Sequence, residues 1–347
     1  MKDYPEWSSV DGTRAIPQID ESDLDMWRIC ADRREHNAFR KEGRCSRWRA
    51  DGCGRAASRL RAMDPSTEAD EHVRPASTAE RAEPRAMQAA TRLAWDEAAE
   101  RYERWLPEAI ELIRSGGTNL LPPELELIGD LHGRCRRAIH LQCAGGRDTL
   151  SLWNLGADEV VGVDYSRPML DLAERLSAAV DAPARWIESD VLDTPHDLDG
   201  TADLLYTGRG SLIWLQDLDA WAAVLERLLA PTGRLVLFEG HPAEWLFDAD
   251  EDGNWIATDY DYFGGPEASK GWAPEYIDRL SIDERDQSWK FARSWTLGEI
   301  LTAMLGAGLR LERVAEHPTD WWGGHADVRP EERGRIPLSF SVVARRG

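Results

Sequence analysis

The chain has 347 residues, with 42 Lys and Arg against 63 Asp and Glu, a formal net charge of −21 and a pI near 4.8. A chain this acidic repels nucleic acid and anionic membrane surfaces, and neither is expected as a partner. No apolar stretch approaches the roughly 20 residues of a membrane span, and the first residues lack the apolar segment of a signal peptide. We therefore expect a cytoplasmic protein. Its length is consistent with one large α/β core and additional segments.

The five cysteines exclude two common frameworks. They are odd in number and form no C-x-x-C pair, so neither a disulfide scaffold nor a zinc site is predicted. Cys30, His36, Cys45 and Cys53 match no known metal-binding spacing, and we predict no metal site. Cys143 is interpreted as a small packed residue.

Three regions follow along the chain. Residues 1–84 are rich in charged and small residues without sustained periodicity, and are predicted to be a disordered extension, or else a leader segment that docks on a partner. Residues 85–133 are predicted to form helices that cap the cofactor site, the first ending at Pro107 and the others spanning 108–114 and 124–131. Residues 134–347 are assigned to the main core, with an aromatic-rich substrate lid at about 243–295.

The core alternates short apolar runs with helical segments. The predicted strands span residues 138–143, 159–163, 184–187, 202–206, 234–239, 309–316 and 339–344. This order predicts an α/β, Rossmann-like, doubly wound sheet of about seven strands. The sheet is mostly parallel, but no helix separates the last two strands, which indicates an antiparallel hairpin with the C-terminal strand at the edge.

The most informative segment follows the first predicted strand. Ala144, Gly145 and Gly146 are small enough for a tight turn, and a helix over 148–155 would point its free N–H groups at that turn. The second strand ends at Asp164, 18 positions after Gly146, close to the roughly 20-residue spacing at which a carboxylate reaches ribose hydroxyls. A G-x-G-x-x-G motif is missing, which disfavours NAD and FAD.

Here the chain resembles the class I S-adenosylmethionine (SAM)-dependent methyltransferases, in particular a bacterial branch with the motif HLQC-x-x-G-x-DTLSL-x-x-LGA. Three further segments fit this branch in the expected order: YTGRGSLIWLQDLDAWA, FEGHP and IPLSFSVVARR. The resemblance covers about residues 91–347. It departs from the wider class at His140, which replaces the usual acidic residue, and at Gln142 and Ala144, which replace usual glycines.

The resemblance implies SAM as the cofactor, held by residues that follow four strands. These residues are His140, Gln142, Ala144, Gly145, Gly146 and Asp148 at the turn; Asp164, Tyr165, Ser166 and Met169 after the second strand; Asp190 and Val191 after the third; and Thr207 and Gly208 after the fourth. Asp148 is a candidate for the SAM ammonium, and the helix N-terminus at Thr149 for the carboxylate. Asp190 would read the adenine amino group, or would instead cap the next turn.

Candidate substrate and catalytic residues lie near the same strand ends. His241 has the pKa range of a general base and is the main catalytic candidate, with a hydrogen-bonded spacer as its alternative role. Thr207 is expected to contact the reacting centre. Tyr102, Trp214, Trp245 and Trp272 are candidate substrate contacts, although Tyr102 and Trp214 could instead pack the core.

The sequence thus indicates a SAM-dependent methyltransferase acting on a small molecule by direct displacement. A non-catalytic SAM-binding sensor or scaffold and a nucleotide-dependent oxidoreductase are the alternatives. The acceptor atom and the oligomeric state stay open.

Overall fold

The computed structural model describes residues 73–272 and 280–347. Most of the predicted extension, residues 1–72, and residues 273–279 of the predicted lid lie outside the described residues. Across the two described ranges, no helix has the length and apolar character needed to cross a membrane.

A seven-stranded sheet forms the centre of the described structure. Its strands are β2 (Arg137–Leu141), β3 (Glu159–Asp164), β4 (Ala184–Glu188), β5 (Ala202–Gly208), β6 (Leu229–Gly240), β11 (Leu309–His317) and β12 (Ser339–Arg346). The order across the sheet is β11-β12-β6-β5-β2-β3-β4. Strands β4, β3, β2, β5 and β6 pair in parallel, whereas β12 runs antiparallel to both β6 and β11. The predicted fold class is therefore confirmed.

The last two strands form the predicted antiparallel hairpin at one edge. The prediction that the C-terminal strand lies at the edge is corrected, because β12 pairs with β6 on its inner side and β11 is the outermost strand. The apolar alternation of β12, with Phe340, Val342 and Ala344 completely buried, suits this inner position, while β11 exposes several charged side chains.

Helices cover both faces of the sheet. They are α1 (Thr78–Arg81), α2 (Pro84–Arg114), α3 (Pro122–Ile128), α4 (Arg147–Asn154), α5 (Arg167–Ala179), α6 (Leu218–Leu228) and α7 (Leu297–Gly306). Side chains of α6 and α7 pack with Ile139 and Leu141 in one apolar core, and those of α2 to α5 pack with Ala138 and Val160 in a second. Because successive strand side chains point to opposite faces, each strand contributes to both cores.

Helix α2 corrects the prediction of two helices separated by Pro107. It runs unbroken for 31 residues with Pro107 inside. An internal proline removes one helical hydrogen bond at a cost of about 3 kcal/mol. Leu106, Ala109 and Ile113 continue the buried face of the helix across this point, and their packing outweighs that cost.

Two small sheets replace parts of the predicted extension and lid. Strands β1 (Val73–Pro75), β9 (Glu267–Ser269) and β10 (Lys290–Ala292) form one sheet, and β7 (Phe247–Ala249) and β8 (Trp255–Ala257) form the other. Strand β1 and helix α1 therefore lie within the last residues that the prediction assigned to the extension. The pairing of β1 with β9, 194 positions away by residue number (267 minus 73), is a long-range contact that local composition does not reveal.

Candidate cofactor and substrate site

A deep cleft lies at the carboxyl ends of the parallel strands. The space between its lining atoms, part of which is open to solvent, amounts to about 1280 Å³. The lining residues are Trp95, Tyr102, Trp105, Leu106, Ala109, Asn119, His140, Gln142, Cys143, Ala144, Gly145, Gly146, Arg147, Asp148, Asp164, Tyr165, Met169, Leu172, Leu176, Gly208, Arg209, Gly210, Ser211 and Trp214.

The turn between β2 and α4 keeps a glycine-like backbone without the usual glycines. Gln142 and Ala144 have φ values of 57° and 45°, in the left-handed region, and Gly146 has 79°. A side chain at position 146 would meet the Trp186 ring at 2.5 Å, whereas a Cβ at position 145 would lie 3.5 Å from Tyr102. The departures at 142 and 144 therefore change side chains without changing the path of the turn.

Asp164 is fixed beside this turn at the end of β3. Its Oδ2 accepts from the Ala144 N–H at 2.8 Å, and its Oδ1 accepts from the Ser166 N–H at 2.9 Å. Burial raises the pKa of Asp164 to about 6, and these backbone donors limit the rise. At neutral pH the group is an oriented carboxylate in the wall of the cleft, suited to accept hydroxyl donors.

A smaller chamber adjoins the cleft next to Asp164. It shares Gln142, Asp164, Tyr165 and Trp214 with the cleft and is completed by Gln88, Val163, Ser189 and Val191. Ser189 and Val191 follow β4, the neighbour of β3 in the sheet. A ligand that lies across the strand ends from the turn past Asp164 would thus extend into this chamber.

A buried ionic network forms the opposite end of the cleft. Arg209 Nη1 donates to Asp148 Oδ1 at 2.8 Å and to the Asn119 carbonyl at 3.0 Å, and its Nε lies 3.8 Å from Glu124 Oε2. The Tyr206 hydroxyl also donates to Glu124, which is completely buried. Burial raises the pKa of Glu124. Burial is also the largest single effect on Asp148, but the charge of Arg209, other nearby positive charges and the Asn119 hydrogen bond together outweigh it, so the pKa of Asp148 is lowered.

Glu239 holds the loop after β5. Its carboxylate accepts hydrogen bonds from the N–H groups of Gly210, Ser211 and Leu212 at 2.6, 2.8 and 2.9 Å, and from the Ser211 hydroxyl at 2.9 Å. Gly210 and Ser211 line the cleft. The buried carboxylate therefore shapes one wall without lining it.

Aromatic side chains form one wall of the cleft. Trp95, Tyr102, Trp105 and Trp214 line the cleft, and the Trp95 and Trp214 rings meet edge to face with centroids 5.6 Å apart. Trp272 packs behind them, 4.9 Å from Trp95 and 5.8 Å from Trp214. Tyr102 and Trp214 thus lie where the substrate contacts were predicted, while Trp272 supports the wall from behind.

The structure brings most of the predicted cofactor residues together and leaves three aside, namely Ser166, Asp190 and Thr207. His140, Gln142, Ala144, Gly145, Gly146, Asp148, Asp164, Tyr165, Met169 and Gly208 line the cleft, and Val191 lines the chamber. Ser166 caps α5 and donates its N–H to Asp164 rather than lining the cleft. Thr207 is completely buried, with its hydroxyl 3.3 Å from the Ser211 hydroxyl. Asp190 does not line the chamber, because Gln88 lies between them.

The predicted catalytic and lid residues His241 and Trp245 do not reach the cleft, which corrects both assignments. His241 is buried, with Nε2 2.9 Å from Glu316 Oε1 and Nδ1 accepting from the Ala243 N–H. Burial lowers its pKa. It caps a short 3₁₀ turn (Pro242–Leu246), the hydrogen-bonded spacer role named as the alternative. Trp245 packs near Tyr260 instead.

Sequence reasoning assigned no role to several residues that shape the site. These are Gln88, Trp95, Trp105, Asn119, Glu124, Arg147, Arg209 and Glu239. The positive φ of 63° at Arg209, beside two glycines in a strand-end loop, fits the strain often found at functional sites, but the sequence shows only the glycines. The residues of this group that lie on helices have no local sequence pattern that marks them as part of a site.

Comparisons with known proteins agree with this architecture. Residues 138–233 match a family model described as a methyltransferase domain. The chain is 38% identical over 84 residues to a demethylmenaquinone methyltransferase of Thermus thermophilus, an alignment that covers 24% of this chain and 37% of that protein. The chain thus spans a little over a third of the length of this curated relative.

Solved structures of similar fold include S-adenosylmethionine-dependent methyltransferases from two bacteria. The one from Mesorhizobium loti has a TM-score of 0.46 and 24% identity, and covers 65% of this chain and 96% of its own. The one from Listeria monocytogenes, described as putative, has a TM-score of 0.47 and 18% identity, and covers 65% of this chain and 98% of its own.

The matched segment contains the glycine turn, Asp164 and the loop after β5. The chain carries a class I SAM-dependent methyltransferase domain, which confirms the resemblance, and SAM is the cofactor of that class. The narrower branch defined by the HLQC motif stays a prediction.

Proposed function

We propose that this chain is a catalytically active methyltransferase that transfers the methyl group of SAM to a small-molecule acceptor. The observation that carries the proposal is Asp164, a buried carboxylate held by two backbone N–H groups beside a turn whose residues Gly145 and Gly146 line the cleft. Bound there, SAM would supply the activated methyl group. Asp164 would accept the ribose hydroxyls, and Asp148 would lie near the ammonium.

The aromatic wall suits an apolar or aromatic acceptor. Trp95, Tyr102, Trp105 and Trp214 offer ring surface that excludes water, and aromatic faces attract a sulfonium by about 0.5–2 kcal/mol depending on desolvation. The Thermus relative is named for demethylmenaquinone, which fits an acceptor of this kind. A small-molecule acceptor also fits the strongly acidic composition, which disfavours nucleic acid.

Alignment rather than strong base catalysis would drive the transfer. Among the described residues that line the cleft, His140 is the single imidazole; burial lowers its pKa to about 4, and its Nδ1 lies 2.8 Å from the Thr149 hydroxyl. A group with so low a pKa is a weak base at neutral pH. An acceptor atom with a free lone pair, or one that loses its proton readily, fits this lining.

The sensor alternative loses its motivation in the structure. Altered glycines in the turn would fit a sensor, yet Gln142 and Ala144 have left-handed φ values and Gly145 lines the cleft. The cytoplasmic location and the absence of a nucleic-acid partner stay predictions.

Titration calorimetry with S-adenosylhomocysteine, followed by mass spectrometry of a small-molecule panel with SAM, tests the proposal. Asp164→Asn should weaken binding at least tenfold because an amide accepts at one oxygen only, whereas Asp219→Asn at an exposed helix position should bind like wild type. Binding of NAD in place of S-adenosylhomocysteine would favour the oxidoreductase. Tight binding with no methylated product across a broad panel would favour the sensor.

A further inference from the structure

Gln88 on helix α2 presents an unpaired oxygen to the chamber beside Asp164. The residue is 3% exposed, and its Oε1 has no hydrogen-bond partner among the described residues. Its Nε2 donates to Asp190 Oδ1 at 2.8 Å. Because an ionised carboxylate only accepts, this bond fixes the amide orientation and leaves Oε1 as the free acceptor.

Asp190 itself is turned away from the chamber. Its Oδ1 also accepts from the Leu192 N–H at 2.9 Å, and its Oδ2 lies 3.5 Å from Arg85. Asp190 does not line either the cleft or the chamber, whereas Gln88 lines the chamber. The acidic residue after β4 thus acts through Gln88 instead of meeting a ligand directly.

The position of Gln88 is held by contacts of the neighbouring residues of helix α2. One turn further, the Thr91 hydroxyl accepts from the Phe291 N–H at 2.9 Å and donates to the Met87 carbonyl at 3.0 Å. Met87 and Phe291 belong to a small buried apolar cluster with Ala76 and Ala268. The small sheet β1-β9-β10 therefore anchors this part of α2 against the main core.

An unpaired buried acceptor costs free energy until a donor reaches it. The chamber lies beyond Asp164 in the direction of β4, so a nucleoside whose ribose is held by Asp164 places its base there. Adenine carries an exocyclic amine at position 6 of the purine ring. A 6-oxo purine such as hypoxanthine or guanine presents a carbonyl at that position, which would face Oε1 with an unfavourable acceptor–acceptor contact.

We propose that Gln88, outside the matched segment 138–233, reads the 6-amino group of the bound adenosyl ligand through Oε1, and that Asp190 is the positioning residue that orients it. Gln142 also has a buried, unpaired Oε1, with its Nε2 donating to the Ser211 carbonyl at 3.0 Å. Gln142 lines both the cleft and the chamber, whereas Gln88 lines the chamber alone. Gln88 is therefore the unpaired acceptor specific to the chamber. This inference rests on the proposed function.

The test compares S-adenosylhomocysteine with S-inosylhomocysteine, in which a carbonyl replaces the 6-amino group, by calorimetry. Wild type should prefer the adenosyl ligand by about tenfold or more. Gln88→Met, of similar volume and without an acceptor oxygen, should bind the adenosyl ligand about tenfold more weakly and lose most of the preference. Asp190→Asn, which keeps an acceptor for Gln88 Nε2, should largely retain it.

Two outcomes overturn the inference. Equal binding of both ligands by wild type removes base reading altogether, and this measurement needs no variant. Equal weakening of both ligands in Gln88→Met, with the preference intact, would reduce Gln88 to a structural role; Gln88→Ala repeats the comparison if the Met variant does not fold. If wild type binds neither ligand, the proposed function fails and this inference fails with it.

Discussion

Arg209 and Asp148 form an ion pair at 2.8 Å inside the wall of the cleft, where the Arg209 side chain is 8% exposed and that of Asp148 20%. The pair joins the loop after β5 to the first turn of α4. Glu124 on α3 lies on the other side of the same guanidinium. One cation therefore compensates two carboxylates that come from distant parts of the chain.

Removing this cation should be costly. Arg209→Met leaves Asp148 and Glu124 buried without their counter-charge, so we expect the free energy of unfolding to fall by about 3–5 kcal/mol. Urea denaturation measures the change. The matched control is Arg310→Met, whose side chain is 65% exposed and pairs with Glu312 at 2.9 Å. Exposed pairs contribute about 0–1 kcal/mol, so similar losses in the two variants would contradict the buried network.

Gly145 and Gly146 should respond in opposite ways to alanine. Gly146→Ala places a Cβ 2.5 Å from Trp186 and 2.8 Å from Ala173 at a φ of 79°, and should cost about 2 kcal/mol or more in stability. Gly145→Ala fits the protein alone, with its nearest contact at 3.5 Å, so its melting temperature should stay near wild type.

The same Gly145→Ala variant should nevertheless bind S-adenosylhomocysteine at least tenfold more weakly, because Gly145 lines the cleft. Calorimetry beside thermal melting separates the two effects. Unchanged affinity would mean that no ligand approaches this backbone closely.

Ligand affinity should depend on pH through Asp164. Its pKa of about 6 in the folded protein exceeds the ordinary value of about 3.9, so the folded state holds this proton more tightly. The contribution of Asp164 to folding stability is therefore present at low pH and is lost as the pH rises from about 4 to 6. Ribose hydroxyls require the carboxylate, so binding shows the opposite trend.

We expect the affinity for S-adenosylhomocysteine to rise by up to about tenfold per pH unit below pH 6 and to level off above it. Calorimetry between pH 5 and 8 measures the profile, and Asp164→Asn should flatten it. A wild-type profile that is flat through pH 6 would show that the ribose contact lies elsewhere.

Glu239 should matter for both stability and binding. In Glu239→Gln, an amide N–H₂ replaces one acceptor and faces backbone donors of residues 210–212, so we expect a loss of about 1–3 kcal/mol in the free energy of unfolding. Weaker S-adenosylhomocysteine binding should accompany it, since Gly210 and Ser211 line the cleft. Glu251→Gln, at an exposed position, is the control and should change neither quantity. Equal behaviour of both variants would contradict the proposed bracing of the loop.

The sequence alone determined the strands, their alternation with helices and the turn before Asp164. These features are local: apolar runs of strand length, small residues at a turn and a fixed spacing to a carboxylate are properties of neighbouring residues. For the same reason the sequence predicted most of the turn residues that line the cleft, including Gln142 and Ala144, which replace glycines.

Tertiary structure alone decided which remote side chains meet. Pro107 stays within α2 because a continuous buried face crosses it, and His241 caps a turn away from the cleft although it follows a strand. Gln88 contacts Asp190 because helix α2, more than 100 positions earlier in the chain, lies close to the end of β4. Arg209 pairs with Asp148 and Glu124, which belong to two different helices. Such contacts depend on the packing of separate segments and on side-chain direction, which no local pattern encodes.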